Sequence, residues 1–261
     1  MQYGNYLLES EDMVYRHKLS SGERFSMHIH NMYELIYFMG GSATHVIEDR
    51  KYKLKKGDLV LIRPASYHFI QMDTPEEYER CNILFDPQRH HIESVFAIPE
   101  DMEVVNIRGN AILEDIFRKC EFYRKYCTDE VFQQLLSHLL SELFYNLSLF
   151  PAVSTEDSTS VSPQISDALR YINDHLCTLS GIGEIAKYLF TSESNLFRIF
   201  KRELHQTPKK YIMEKRLLLA RRMIASGEKP IEVAEKCGFG DYTTFYRNYI
   251  AAFGHSPSVE K

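Results

Sequence analysis

Ser192-Glu193-Ser194-Asn195-Leu196-Phe197-Arg198-Ile199-Phe200 is answered, 49 residues later, by Asp241-Tyr242-Thr243-Thr244-Phe245-Tyr246-Arg247-Asn248-Tyr249. Each stretch opens on a residue whose side-chain oxygen can accept from the free N–H groups of a first helical turn. Each then sets an arginine two positions before a large aromatic residue. Leu204 and Phe253, and Pro208 and Pro257, keep the same offset of 49, whereas Ala186 and Ala234 lie 48 apart. The extra residue must fall in a connecting turn, where an insertion disturbs least. A short helix, a tight turn and a second helix, given twice, predict two helix-turn-helix units, each with a second helix suited to a major groove.

In the first unit, Ser180 is expected to cap a helix through Ile182, Ile185, Ala186 and Leu189, with small Ala186 allowing close helix approach. On Glu193 to Leu204, the residues Leu196, Ile199, Phe200 and Leu204 form an inward stripe, while Asn195, Arg198 and Arg202 share the outer side. An amide and two guanidinium groups are the chemistry that reads adenine and guanine edges and grips phosphate. Ser194 and Phe197 complete the expected contact set of this head. In the second unit Gly238 permits the turn, and Phe245, Tyr249 and Ile250 are expected to face inward. Tyr242, Thr243, Tyr246 and Arg247 are left for the groove. An opening helix is predicted over Gln164 to Leu176. A spine helix, Lys209 to Ser226, is predicted to start at Thr207-Pro208 and stop at Gly227. Its Arg216, Arg221 and Arg222 divide between internal partners and phosphate.

The formal net charge of the 261 residues is −5, an unpromising sign for a nucleic-acid binder until it is divided. From Pro163 onward 15 Lys and Arg face 11 Asp and Glu, and the remainder carries 16 against 25. The rear is therefore mildly basic, the sign that phosphate contact requires. Cys81, Cys120, Cys127, Cys177 and Cys237 are odd in number and lack zinc-site spacing, which predicts reduced thiols in a cytoplasmic protein. No stretch approaches the roughly 20 apolar residues of a membrane span, and Met1 to Met13 has no signal-peptide character; no membrane partner is expected.

Ahead of this region, Glu34 to Met39, Ala43 to Glu48, Tyr52 to Leu54, Asp58 to Ile62, His68 to Met72 and Tyr78 to Phe85 read as short strands. They are punctuated by Gly40-Gly41, Glu48-Asp49, Lys56-Gly57-Asp58 and Arg63-Pro64. This pattern predicts an antiparallel barrel or double-sheet sandwich. The spacing of Gly22, His28, His30, Glu34 and Gly41 matches the first signature of the cupin barrels. Gly57, Pro64 and His68 are similar to the second, with its intervening glycine missing. His28, His30, Glu34 and His68 can present three imidazoles and a carboxylate, and three uses stay open: a metal site, the lining of an effector pocket, or mutual hydrogen bonding. Arg24, Tyr37 and Arg63 lie near the same signatures and are candidates to meet a hydroxylated or anionic ligand. Two amphipathic helices follow between Asn110 and Phe150, with a break near Cys127-Thr128-Asp129. The wide apolar face of the second suggests a partner helix from another subunit.

Arg216-Leu217, Ala220, Ile231, Ala234, Gly238-Phe239, Asp241, Phe245, Arg247 and Gly254-His255-Ser256-Pro257 resemble the DNA-binding domain of the AraC/XylS family of bacterial transcription regulators. Ser192, Leu196, Arg198 and Phe200-Lys201 are similar to that family's first head. His205 departs from the usual glycine, and Tyr249-Ile250 from the usual Phe-Lys. The resemblance implies an α+β chain in four parts. These are a cupin-like effector-binding barrel (1–108), a helical dimerisation region (109–150), a flexible linker (151–163) and an all-α domain with two helix-turn-helix units (164–261). It also implies a transcription regulator, in the first instance an activator, with double-stranded DNA, a small-molecule effector such as a sugar, a second copy of itself and RNA polymerase as partners. The expected effector residues are Arg24, His28, His30, Glu34 and His68; neither a cofactor nor catalysis is expected. The competing expectation is a metal-dependent cupin enzyme carrying a DNA-binding tail, with His28, His30, Glu34 and His68 as ligands.

Overall fold

The computed structural model describes residues 5–21, 27–74, 77–149 and 158–260. Gly22 and Arg24 lie outside them. The front half is built from β1 (Tyr6–Glu9), β2 (Met13–Ser21), β3 (Tyr33–Gly40), β4 (Ala43–Ile47), β5 (Arg50–Leu54), β6 (Asp58–Ile62), β7 (His68–Met72), β8 (Glu77–Phe85) and β9 (Val104–Asn106). One antiparallel sheet runs β1-β2-β8-β3-β6-β9. The other contains β5, β4, β7 and a late strand, β10 (Ser158–Ser160), which pairs with β5.

Strand alternation explains why β3 and β6 are apolar on both sides. Ile36, Phe38, Val60 and Ile62 share a core with Ala43, Ile47 and Ile70 of the opposite sheet. Their neighbours Leu35, Leu59 and Leu61 face outward into a second core, formed with the helices α1 (Ala111–Tyr126) and α2 (Asp129–Leu149). Successive side chains point to opposite faces, so a strand covered on both sides loses its polar positions. Most of the apolar width of α2 is thus spent within the chain, against α1 and the six-stranded sheet, while Val131, Tyr145 and Leu149 stay exposed. His17 of β2 bolts this layer, 2.8 Å from Glu79 of β8 and 2.8 Å from Glu121 of α1. Burial works against its charge, yet the hydrogen bonds to the two carboxylates prevail and raise its pKa.

The strands expected from residue 34 to 85 stand within two residues of their predicted ends. The nine-residue β2 and the short β1, β9 and β10 were not expected. Of the stretch read as a linker, 151–157 lie outside the described residues, and Ser158–Ser160 forms a strand where flexible chain was expected.

The rear half is helical: α3 (Pro163–Asp174), α4 (Ile182–Tyr188), α5 (Glu193–Leu204), α6 (Pro208–Ala225), α7 (Pro230–Lys236) and α8 (Tyr242–Phe253). Leu196, Ile199, Phe200 and Leu204 of α5 pack with Ile185 and Ala186 of α4, and Phe245 and Tyr249 of α8 pack with Val233 and Ala234 of α7. The spine α6 serves both, giving Tyr211 and Ile212 to the first core and Leu217, Ala220 and Ile224 to the second. Arg216 fastens the pair from between, donating to the carbonyls of Leu176 (2.8 Å), Leu179 (2.7 Å) and Gly238 (2.7 Å). It is therefore a structural bolt and not a free phosphate contact.

Candidate functional site

Two sets of side chains have the arrangement of functional sites. The first lies on the outer faces of α5 and α8. Ser192 Oγ accepts from the Asn195 N–H (3.2 Å) and Asp241 Oδ1 from the Thr244 N–H (2.8 Å), so both helices begin where local capping chemistry predicts. Ser180 behaves differently from expectation. The residue at the start of α4 is Gly181, and Ser180 instead donates its N–H and hydroxyl to Glu184.

With the inward stripe of α5 buried, Ser194, Phe197, Arg198 and Arg202 stand exposed. Asn195 is half-buried and committed to its neighbours. Its Nδ2 donates to Thr191 Oγ1 (2.8 Å) and its Oδ1 accepts from Arg198 Nη2 (2.8 Å). The amide expected to read a base thus orients the guanidinium beside it. Arg202 donates to Glu203 Oε1 at 2.6 Å. On α8, Tyr242, Thr243, Tyr246 and Arg247 are exposed, with the two tyrosine rings 6.1 Å apart. Ile250, expected inward, is 37% exposed and stands outside the core that Phe245 and Tyr249 join.

The second set lies at one end of the core between the sheets, where polar residues continue apolar rows. Glu34 precedes Ile36 and Phe38 on the inner face of β3. Its Oε2 lies 3.1 Å from His30 Nε2 and 2.9 Å from His68 Nε2, and its Oε1 accepts from Asn82 Nδ2 at 2.6 Å. Burial would push the Glu34 carboxyl up, but hydrogen bonds from His30 and His68 outweigh it and hold it well below the usual range. His28 joins through a backbone bridge, exchanging N–H···O bonds of 3.1 Å with His68. One donor atom from each of His28, His30, Glu34 and His68 lies within 4.8 Å of the others. Three imidazoles and a carboxylate fit an ion such as iron, manganese or zinc.

His45 of β4, missed in the sequence, belongs here as well. Its ring stacks on His68 with centroids 6.0 Å apart, and it is buried. Burial first, and the neighbouring His68 next, depress its pKa well below 6.5, so it is neutral. Neither ring nitrogen has a hydrogen-bond partner among the described residues. A neutral imidazole carries both a donor and an acceptor, which is the complement of a hydroxyl group. Strand alternation would have pointed to His45, which sits between inward Ala43 and Ile47, as it would to Asn82 on β8.

Two other expectations fail. Arg63 donates to the carbonyls of Ile98, Pro99 and Met102, anchoring a loop. Tyr37 stacks on Phe117 of α1 at 4.1 Å, on the sheet face away from the histidines.

Comparison with known proteins bears on both sites. Residues 12–172 match the AraC-like ligand binding domain, and residues 185–260 match a helix-turn-helix domain. The chain is 30% identical over 137 residues to the probable transcriptional regulator LumQ of Photobacterium leiognathi, covering 52% of this chain and 53% of that one. It is 27% identical over 176 residues to the xylose operon regulatory protein of Haemophilus influenzae, covering 63% and 46%. The match to the HTH-type transcriptional activator RhaS of Klebsiella pneumoniae is 22% over 251 residues, covering 89% and 86%. The chain spans about half the length of the first two relatives.

Proposed function

The chain belongs to the AraC family of transcription regulators, and from that premise we propose that it is a sequence-specific DNA-binding activator that responds to a small hydroxylated effector, such as a sugar. One observation carries the DNA-binding part. Arg198 and Arg247 occupy the same position on the second helix of two independently cored helix-turn-helix units, both exposed beside a fully buried inward stripe. Two such helices on one spine suit successive major grooves on one face of the duplex. The activator role is supported by the name of RhaS, and a sugar effector by that of the xylose operon protein.

The effector site is His28, His30, Glu34 and His68, extended by His45 and Asn82. A buried carboxylate with imidazole donors and acceptors suits hydroxyl groups better than an apolar ligand. A homodimer through the helices α1 and α2 is the further assembly of this reading, with Phe122 and Tyr126 of α1 and Tyr145 and Leu149 of α2 among the exposed apolar residues of that region. RNA polymerase is the further partner of an activator that works from the cytoplasm; no helix among the described residues is long and apolar enough to cross a membrane.

Genome-wide mapping of bound sites tests the DNA-binding reading. Discrete sites sharing a two-part motif are the expected outcome, and uniform coverage overturns it. Thermal-shift screening against sugars tests the effector reading, because a ligand at 100 times its dissociation constant stabilises by about 2.7 kcal/mol. The convergence of four donor atoms within 4.8 Å favours a second reading, a metal-dependent cupin enzyme. There His28, His30, Glu34 and His68 would hold an ion that supplies Lewis-acid chemistry. Stoichiometric metal in the purified protein, lost on His30→Ala, would favour it.

A further inference from the structure

The effector cluster and the first reading head lie on opposite sides of one wall of the sheet domain. His28 and His30 face the cluster, while their neighbours Met27 and Ile29 pack against the core of the first head. The adjoining strand repeats the pattern. His68 faces the cluster, Tyr67 is buried in the head's core, and Phe69 meets the ring of His205 edge-on at 5.5 Å. Alternation along an extended chain produces this division, and the His28–His68 bridge ties the two segments together.

On the head side the wall ends in a buried polar network. The Tyr67 ring stacks on Tyr211 of α6 at 4.3 Å, and its hydroxyl lies 2.6 Å from Glu214 Oε2 and 3.1 Å from the Tyr211 carbonyl. Glu48, in the β4–β5 turn, accepts the Tyr67 N–H through Oε1 (3.0 Å) and the Tyr211 hydroxyl through Oε2 (2.6 Å). Lys215, itself buried, reaches Glu48 Oε1 at 2.8 Å and Asn173 Oδ1 at 2.8 Å. Beside it Ser166 of α3 donates to Asp49 Oδ2 at 2.5 Å. The Glu48–Tyr67 bond lies within the sheet domain and the Lys215–Asn173 bond ties α6 to α3; the other contacts join the sheet domain to α3 or to the first half of α6. Such a network is specific, because a buried tyrosine hydroxyl or ammonium that loses its carboxylate has nowhere else to turn.

We propose that this wall transmits the state of the effector cluster to the DNA-binding domain. Glu48, Tyr67, Tyr211 and Lys215 form a latch that fixes α6, and with it both heads, in one orientation on the sheet domain. A ligand that engages His28 and His68 displaces Tyr67, which directly precedes His68 and points to the other side of the wall, and so reaches the latch without touching the head. The proposal rests on the effector reading of the cluster.

Hydrogen exchange on the full-length protein tests it without knowledge of the ligand. Tyr211→Phe, which keeps the ring stack, and Lys215→Met should each raise exchange over residues 205–216 by roughly five- to tenfold, the loss of one strong buried hydrogen bond. They should leave α7 and α8 unchanged. His30→Ala, on the cluster side and out of reach of the head, should raise exchange over 205–216 in the wild-type background and add nothing to Tyr211→Phe. If the latch variants exchange like wild type, there is no latch. If they respond and His30→Ala does not, the wall holds the head but transmits nothing, and the proposal fails. Failure of the effector reading would show separately, as the absence of any thermal shift with sugars in wild type and latch variants alike.

Discussion

The two reading heads share one plan and solve the same backbone problem differently. Each has two left-handed positions, one in its turn and one at the end of its second helix. The second head fills them with Gly238 (φ 79°) and Gly254 (φ 77°), and the first with Phe190 (φ 49°) and His205 (φ 56°). A side chain in this region costs on the order of 1–2 kcal/mol per residue. The second head stands on its own core. The first shares its core with Tyr67 and Val161 and rests His205 on Phe69, so the sheet domain supports it. The lesson is that the first head is held and the second is self-sufficient.

The strongest way to break this contrast is to empty each core. Phe200→Ala and Phe245→Ala should each cost about 3–5 kcal/mol. In urea titrations followed by hydrogen exchange, the first should loosen the sheet-domain contact together with the head, and the second should open only α7 and α8. Gly238→Ala comes next, at about 2–4 kcal/mol, since it adds positive-φ strain and a clash: a Cβ there would lie 2.2 Å from the Cys177 carbonyl oxygen. Phe190→Gly, at the matching turn, should instead stabilise by about 1 kcal/mol, because Phe190 is 98% exposed and has little packing to lose. Equal effects at the two turns in thermal melts would remove the contrast.

Base reading sharpens it further. Arg198→Ala and Arg247→Ala should each weaken operator binding by about 1–3 kcal/mol and relax base preference in one groove. Asn195→Ala should reproduce part of the Arg198 loss, because Asn195 orients that guanidinium. Footprints identical to wild type for both arginine variants would refute these assignments. The smallest difference is expected at the caps. Ser192→Ala and Asp241→Ala should each cost about 1 kcal/mol, with the Asp241 effect showing more in local exchange of α8, whose core takes in no sheet-domain residue among those described.

What could be read from the chain in advance was whatever depends on near neighbours. The caps at Ser192, Thr207 and Asp241, the stops at Gly227 and Gly238, and strands bounded by Gly40-Gly41 or Arg63-Pro64 are set within a few residues. The four cluster residues were legible because a spacing pattern carried them. Ile250 was misjudged because an apolar side chain at a helical position beside Phe245 and Tyr249 reads as inward, while those two alone of α8 are buried in the second core. The roles of Arg216, Arg63 and Tyr67 were hidden for a related reason. Their partners lie 22 to 40 residues away for Arg216, 35 to 39 for Arg63 and 147 for Tyr67, and side-chain type alone does not reveal a distant carbonyl or carboxylate. Strand β10 was missed because Ser-Thr-Ser has no apolar face and gains its place only by extending β5.

Arg216, gripping two carbonyls beside the first head and one beside the second, converts a pair of heads into a gauge of fixed length. DNA advances one turn in about 10–10.5 base pairs, so inserting a single base pair between the two contacted grooves moves the second out of phase by about a tenth of a turn. A flexible tether would absorb that; a three-carbonyl bolt does not. Operator sequence can therefore drift at individual bases while the interval between them stays locked.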